Sequence, residues 1–251
     1  MNYTTMIFSP TGGTEKAVTA LTSGWGERVA TVDLTNAGLD FSQFSFQPKD
    51  TVVIAAPSYG GRVPGLAAER IQKVQGNGAK AVLVCVYGNR AYEDTLVELE
   101  DLAKAAGFTV TAAVAAIAEH SIARRFAAGR PDAEDLAILA SYGQAILERL
   151  QSGAQVGPIP GNHPYKKAGG SGMIPQTGDA CTQCGLCAEQ CPAEAIDTKD
   201  AKAVDPTKCI SCMRCVAICP QHTKFLDTAK LAGVSAMLEK VCVERKTCEL
   251  Y

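Results

Sequence analysis

Apolar and polar positions alternate in blocks over the first 150 residues. Five runs rich in apolar residues, each long enough for a strand, are mostly separated by stretches whose apolar residues recur every three or four positions, as in amphipathic helices. The runs are residues 4–9, 27–34, 50–56, 79–87 and 108–118. Continuous apolar runs are typical of parallel strands covered on both faces of their sheet. The pattern predicts an α/β fold with a doubly wound, five-stranded parallel sheet over residues 1–150.

The pattern changes after residue 150. Residues 151–177 contain six glycines and four prolines among 27 residues, which is incompatible with a regular helix or strand. We expect this segment to be an ordered linker, with His163 and Tyr165 anchoring it to a neighbouring domain. Residues 178–224 hold eight of the eleven cysteines and form a predicted small α+β domain.

The last segment, residues 225–251, is predicted to contain a helix that packs against another part of the protein. Asp227 is placed to cap its N-terminus. The apolar residues on one face of this helix are Leu231, Val234, Leu238 and Val241.

Two cysteine motifs form an internal repeat. CTQCGLCAEQCP, residues 181–192, and CISCMRCVAICP, residues 209–220, share the spacing C-x2-C-x2-C-x3-C-P. Three cysteines so spaced can wrap a loop around three corners of an iron–sulfur cube, and the fourth thiolate must come from elsewhere. Tetrahedral zinc also binds C-x2-C pairs, but it does not require four cysteines at this spacing with a proline after each set. The motifs therefore favour iron–sulfur clusters over zinc.

This spacing resembles that of bacterial ferredoxins with two clusters. In that family the last cysteine of each motif binds the cluster of the other motif, so the resemblance implies two [4Fe-4S] clusters with crossed ligands. One implied set is Cys181, Cys184, Cys187 and Cys219, and the other is Cys209, Cys212, Cys215 and Cys191. Ile196, Ile210 and Ile218 are expected to cover the clusters. We assign no function to Cys85, Cys242 and Cys248.

A loop rich in hydroxyls and glycines follows the first apolar run. In FSPTGGTEKAV, the hydroxyls and the open backbone amides lie where a helix begins, a combination that binds phosphate without a lysine. The residues concerned are Ser9, Thr11, Gly12, Gly13 and Thr14. The loop is neither a Walker A loop nor the G-x-G-x-x-G dinucleotide fingerprint. Taken alone, it could also be an ordinary helix cap.

The loop resembles the phosphate loop of flavodoxins, which reads close to S/T-x-T-G-x-T, and this resemblance implies FMN as the cofactor. Flavodoxins flank the flavin with the loops after the third and fourth strands, here PSYGGRVPG and YGNRAYED. The implied flavin-contacting residues of the first loop are Pro57, Ser58, Tyr59, Gly60, Gly61 and Arg62. Those of the second loop are Gly88, Asn89, Arg90, Tyr92 and Glu93.

Individual roles in these loops follow from side-chain chemistry. Tyr59 and Tyr92 are candidates to stack on the flavin, with Tyr59 preferred, although loop tyrosines often have no such role. Flavodoxins commonly surround the flavin with acidic residues, whereas Arg62 and Arg90 here would stabilise an anionic reduced flavin. His120, after the fifth strand, is either a proton donor on the flavin side or a structural hydrogen-bonding residue. The peptide of the two adjacent glycines is expected to flip on flavin reduction.

Composition narrows the class of partner. A formal net charge of −2, a pI near 6.0 and the lack of basic runs argue against nucleic acid. No apolar stretch approaches the roughly 18 residues that a membrane helix needs, and the N-terminus does not resemble a signal peptide. The sequence predicts a cytoplasmic protein in a reducing compartment, where clustered thiols bind metal rather than form disulfides. Its oligomeric state is open, and a homodimer is one option.

Together the two halves resemble the fused flavodoxin–ferredoxin proteins of anaerobic microbes. The resemblance implies an electron-transfer protein that exchanges electrons between FMN and two [4Fe-4S] clusters, and so connects two-electron with one-electron redox proteins. The main alternative is a reductase that uses NAD(P)H or a small oxidant directly at the flavin. A more remote alternative is a docking protein whose α/β domain has lost its flavin.

Overall fold

The computed structural model describes residues 2–153, 156–169 and 172–251. The strands are β1 (Tyr3–Ile7), β2 (Arg28–Asp33), β3 (Thr51–Pro57), β4 (Lys80–Tyr87), β5 (Thr109–Ile117), β6 (Gln176–Thr177), β7 (Lys224–Phe225) and β8 (Glu249–Leu250). The main sheet has the order β2-β1-β3-β4-β5-β8, with the first five strands parallel and β8 antiparallel to β5. The order 2-1-3-4-5 is that of the flavodoxin-like doubly wound fold. The predicted fold class is confirmed.

Helices cover both faces of this sheet. The helices are α1 (Gly13–Leu21), α2 (Gly65–Gln72), α3 (Thr95–Ala105), α4 (Ala133–Ser152), α5 (Leu186–Glu189), α6 (Arg214–Ile218) and α7 (Thr228–Glu239). Apolar residues of α2 and α3 pack on one face and those of α1 and α4 on the other. Because β3 and β4 contribute buried side chains to both faces, they read as continuous apolar runs in the sequence.

The cysteine-rich region is a small separate layer. Strands β6 and β7 form an antiparallel pair, and each of the short helices α5 and α6 contains the third cysteine of one motif. A small cluster of buried residues that includes Ile196 lies between the motifs. This region therefore has its own core, as expected for a predicted small domain.

The linker lies against α3. Two carboxylates of the flavodoxin-like part hold it: Asp94 accepts from the backbone amides of Asn162 and Lys166, and Asp101 accepts from His163 and Tyr165. The expectation that His163 and Tyr165 anchor the linker agrees with these contacts. The predicted linker also includes residues 154, 155, 170 and 171, which lie outside the described residues.

The last segment differs from the expected helical tail. Asp227 caps α7 by accepting from the amide of Lys230, and Leu238 on the predicted face is buried. Val241, however, lies beyond the helix and is 48% exposed. The chain then returns to the main sheet as β8, so the final residues are part of the flavodoxin-like sheet. No helix among the described residues is long and apolar enough to cross a membrane.

Candidate functional site

The candidate phosphate loop lies between β1 and α1, at the point where the strand order reverses. Gly12 has φ +87°, a conformation that favours glycine, and it precedes the first helical residue. Within the first turn, the amide of Glu15 donates to the Ser9 hydroxyl at 3.0 Å and that of Lys16 to the Gly12 carbonyl. Ser9 thus acts as a helix cap, while the hydroxyls of Thr11 and Thr14 and the positive end of the helix can face an anion.

We predict that replacing both Thr11 and Thr14 with alanine weakens FMN binding at least about tenfold, because hydrogen bonds to a charged phosphate contribute about 1.5–3 kcal/mol each. Fluorescence titration of the apoprotein with FMN measures the effect. Thr19→Ala, at an exposed position later in the same helix, is the control and should leave the affinity unchanged. Equal FMN affinity in all three proteins would place the phosphate elsewhere.

The loop after β3 is a tight turn. The amide of Tyr59 donates to the carbonyl of Arg62 at 2.9 Å, and the reverse bond closes the pair at 3.3 Å. Gly60 and Gly61 have φ of +61° and +86°, the combination of a type I′ turn. A Cβ atom on Gly61 would lie 1.8 Å from the Glu93 carboxylate, so no larger residue fits there. The flip of this peptide on flavin reduction stays a prediction.

Tyr59 is the first residue of this turn and lies near the cysteine-rich region. Burial, and secondly the negative charge of Cys212, raise the pKa of the Tyr59 phenol well above its ordinary value. The phenol is therefore neutral, and it is within electrostatic reach of a predicted cluster ligand. Whether Tyr59 or Tyr92 stacks on the flavin stays a prediction.

Tyr92, the second candidate aromatic residue, contacts two other tyrosines of the flavodoxin-like domain. Its ring packs edge-on against Tyr87, with centroids 5.2 Å apart, and its hydroxyl bonds to that of Tyr251 at 2.8 Å. Tyr92 is half-buried and packs against the hydrophobic cores on both faces of the sheet, and its predicted flavin contact stays a prediction. The sequence did not reveal that Tyr92 bonds to Tyr251, because Tyr251 is at the far end of the chain and no spacing rule links it to this loop.

The two arginines of the flanking loops are both paired. Arg62 makes two bonds to Glu98, at 2.8 and 2.7 Å, and its guanidinium lies 4.7 Å from the centre of the Tyr165 ring. Arg90 pairs with Glu93 at 2.7 Å, and this pairing lowers the pKa of the Glu93 carboxyl. Because carboxylates balance both charges, the expected stabilisation of an anionic flavin by these arginines has no basis in this arrangement.

Asn89 joins the second flanking loop to the C-terminal segment. It is buried, has a positive φ of +64°, and bonds through both ends of its amide: it donates to the Glu244 carbonyl and accepts from the Lys246 amide. Lys246 also donates to the carbonyl of Arg90. The segment after α7 therefore fixes the position of this loop, a role that the sequence did not reveal.

His120 has a structural role in the described chain. Its Nδ1 accepts from the backbone amides of Ile122 and Ala123, at 3.3 and 3.1 Å, which leaves the proton on Nε2. The ring packs against Gly88, where a Cβ atom would lie 2.7 Å from it. Burial, followed by the charge of Arg90, lowers the pKa of His120, so the imidazole is neutral near pH 7. These contacts favour the structural alternative over the proton donor.

Eight cysteines surround two cavities in the cysteine-rich region. The Cys184 cavity is bordered by Cys181, Cys184, Cys187 and Cys219 and measures about 310 Å³ including its open mouth. The Cys212 cavity is bordered by Cys191, Cys209, Cys212 and Cys215 and measures about 360 Å³ on the same basis. Each cavity takes three cysteines from one motif and the last cysteine of the other. Among the described residues, no group of three or more His, Cys, Asp or Glu is arranged to hold a single metal ion.

Known proteins resemble this region in sequence. Residues 173–230 match the family described as a 4Fe-4S dicluster domain. A ferredoxin-like protein of the nif region in Sinorhizobium fredii (strain NBRC 101917 / NGR234) is 43% identical over 47 residues, which are 16% of this chain and 73% of the relative. The corresponding protein of Rhizobium leguminosarum bv. trifolii is 47% identical over 47 residues, with the same coverage.

The chain belongs to the 4Fe-4S dicluster family through these residues. Two solved structures are similar to the first part: oxidised flavodoxin 1 from Bacillus cereus (13% identity, TM-score 0.42, 59% of this chain and 98% of that one) and a flavodoxin from the domain Archaea (12%, 0.42, 60% and 99%). The strand order independently defines the flavodoxin-like fold. The chain is therefore a fusion of a flavodoxin-like domain with an iron–sulfur domain.

Backbone groups of the dicluster domain bond to the cysteine sulfurs. The amide of Ala195 donates to Cys191 Sγ at 3.3 Å, and that of Thr223 donates to Cys219 Sγ at 3.4 Å. Burial alone would raise the pKa of the Cys219 thiol. Hydrogen bonds from the Thr223 hydroxyl and from nearby backbone amides outweigh this effect and lower the pKa to about 7. Such bonds stabilise thiolates and are the ones that tune iron–sulfur clusters. The donor set fits a cluster.

The thiols of the Cys212 cavity are more buried. Burial raises the pKa of Cys212 to about 11 and that of Cys215 to about 12. A metal ion deprotonates a thiol that binds it, so cluster assembly has to overcome this desolvation.

Lys224 was not singled out by its sequence context, yet it lines the Cys184 cavity. Its side chain is buried, and Nζ donates to Thr177 Oγ1 at 2.7 Å and to the Ala201 carbonyl at 2.5 Å. Its charge acts on Cys187 of one cavity and on Cys215 of the other. A buried lysine beside two cysteine sets indicates electrostatic control of both.

Proposed function

We propose that this protein transfers electrons between FMN, bound by the flavodoxin-like domain, and two [4Fe-4S] clusters, bound by the dicluster domain. Flavin exchanges one or two electrons and each cluster exchanges one, so the pair connects two-electron with one-electron redox partners. The partners we propose are redox proteins. The observation that carries the proposal is the division of the eight cysteines between two cavities, in the crossed sets that the two-cluster ferredoxin motif implies.

The chain's own residues would divide the work as follows. Thr11, Thr14 and the N-terminus of α1 would hold the FMN phosphate, and the turn at Gly60 and Gly61 would border the flavin ring. The crossed sets of four cysteines would each hold one cluster, with amide-to-sulfur bonds at Cys191 and Cys219 favouring the thiolate form. Family membership favours iron–sulfur clusters over the zinc alternative.

The proposal has a direct test. Anaerobically purified protein is assayed for iron, acid-labile sulfide and FMN, and is then mixed in a stopped-flow instrument with either a reduced low-potential carrier protein or NADH and NADPH. We expect both cofactors to be present and the carrier to bleach flavin and clusters rapidly. The motifs of a dedicated dinucleotide site are absent from the sequence, so NADH and NADPH alone should react slowly.

Two outcomes would contradict the proposal. Protein that retains its clusters but binds no FMN would support the docking alternative. Bleaching of the flavin by NADH or NADPH at about tens per second, which is within the ordinary range of enzyme turnover, would instead support the reductase alternative.

A further inference from the structure

The two cysteine loops have the same spacing but different surroundings. In the first motif, Thr182, Gln183 and Cys184 are exposed. The equivalent positions of the second motif are Ile210, Ser211 and Cys212, of which Ser211 and Cys212 are buried and Ile210 is half-buried. The two loops share their cysteine spacing, so their different exposure reflects what packs against each of them. The difference shows that one loop is covered and the other is not.

The flavodoxin-like domain covers the second loop. Ile210, which lines the Cys212 cavity, packs against the hydrophobic core formed by α2, α3 and one face of the sheet. Arg70 of α2 is buried, and it donates to the carbonyl of Pro192 at 2.7 Å and to that of Leu34 at 2.6 Å. Pro192 lines the same cavity. One side chain thus joins the domain core to the wall of the Cys212 cavity.

The covered side is also the flavin side. Val63, in the loop after β3, is buried in the same core against which Ile210 packs, and this loop is one of the proposed flavin-bordering loops. The Cys184 cavity is bordered instead by Thr182, Gly185, Pro220 and Gln221, in loops that face outward. Phe225, which is 45% exposed, lies at the β7 strand of the same domain.

From this arrangement we infer a fixed order of electron transfer: external carrier protein, cluster of the Cys184 cavity, cluster of the Cys212 cavity, FMN. The inference rests on the proposed function and adds to it the docking surface and the route. The external partner is a one-electron redox protein that docks over the exposed residues Thr182, Gln183 and Cys184. Each transfer moves one electron without making or breaking a bond in the protein. Two reduced carriers supply the two electrons that reduce one FMN, which takes up its protons from solvent, and the reverse direction follows the same route.

The test compares two variants that each remove one cluster. In Cys184→Ala, the cluster of the Cys212 cavity should still exchange electrons with FMN at the wild-type rate, whereas reduction by the carrier protein slows at least tenfold. In Cys212→Ala, the remaining cluster should be reduced at least tenfold more slowly than in the wild type when the flavin is photoreduced. EPR spectra of samples frozen at successive times follow each cluster, and the absorbance of the flavin follows FMN.

A second pair of variants keeps all eight cysteines. Thr182→Trp adds bulk to the exposed loop and should slow reduction by the carrier at least fivefold, while exchange between FMN and the clusters is unchanged. Thr109→Trp, at an exposed position of the flavodoxin-like domain, is the matched control and should behave as the wild type. This pair decides the docking surface even if a cysteine variant loses both clusters.

The outcomes separate the two proposals. If wild-type protein lacks FMN, or shows no exchange between FMN and any cluster, the proposed function itself fails. If the wild type exchanges electrons but Cys184→Ala blocks the exchange and Cys212→Ala does not, the function stands and the order is wrong. Equal effects of Thr182→Trp and Thr109→Trp would refute the docking surface.

Discussion

Replacing Lys224 with methionine should lower the reduction potentials of both clusters by about 60 mV or more, which corresponds to about 1.4 kcal/mol for one electron. Lys224 is buried and lines the Cys184 cavity. Burial raises the pKa of Cys187 and Cys215, and the charge of Lys224 partly offsets that burial at both thiols. Since a reduced cluster carries one more negative charge than an oxidised one, a nearby buried cation favours the reduced form.

A redox titration followed by EPR measures both potentials. Lys224→Arg retains the charge and should keep both potentials close to the wild type, and Lys208→Met removes an exposed lysine from the same domain and should have little effect. Potentials that change equally in the methionine and arginine variants would show that Lys224 acts through packing. A shift in one cluster alone would show that the charge is not shared between the two cavities.

Removing residues 244–251 should weaken FMN binding at least about tenfold and lower the free energy of unfolding by about 3 kcal/mol or more, while the iron content stays unchanged. The segment supplies both partners of the buried Asn89 amide and contributes Cys248 to the core. Arg130, which is buried and paired with Asp135, also donates to the Lys246 carbonyl and would lose that acceptor. Several lost bonds at about 0.5–1.5 kcal/mol each, together with buried surface, account for the expected loss.

Urea unfolding and FMN titration measure the two effects. Val243→Ser, which changes the residue immediately before the removed segment, where the side chain is 77% exposed, is the control and should leave both quantities near the wild type. Lys246→Ala keeps the strand β8 but removes the bond to the Arg90 carbonyl. Its loss of FMN-binding free energy should therefore exceed its loss of unfolding free energy. Intact FMN affinity in the truncated protein would mean that the loop after β4 is positioned without this segment.

The flavodoxin-like sheet was predictable because the burial of each strand determines the apolar pattern of that strand's own residues. Strands buried on both faces must be apolar throughout, and β3, β4 and β5 are the longest such runs in the sequence. The cysteine motifs were equally readable, since each ligand spacing reflects the geometry of one cluster. The helix cap at Asp227 was found from one residue type at one position.

The contacts that cross the chain were not predictable in the same way. Strand β8 pairs through only two residues, which is too short for any periodicity to reveal. Tyr92 and Asn89 are predicted flavin contacts because they follow a strand. Their protein partners lie about 160 residues later in the chain, and no local pattern identifies those partners.

The unequal burial of the two cysteine loops did leave a trace in the sequence. At equivalent positions the first motif has Thr182 and Gly185, and the second has Ile210 and Met213. Met213 takes a positive φ of +63°, where the first loop uses Gly185 at +77°, and it is buried. An apolar side chain in a strained backbone position indicates that packing at this site outweighs the local preference for glycine. Comparing the two copies of the repeat residue by residue would have identified the covered loop.

The antiparallel strand at the end of the chain also limits how copies of this protein can associate. A parallel sheet normally leaves two open edges, each with unpaired backbone groups that can accept a strand from another molecule. Here β8 pairs with β5 and occupies one of those edges with the protein's own backbone. The other edge is β2, whose central residues, including Val29 at 61%, are exposed. Among the described strands of the main sheet, β2 is therefore the longer exposed edge, and strand addition into a dimer or an aggregate is favoured there over the part of β5 that β8 covers.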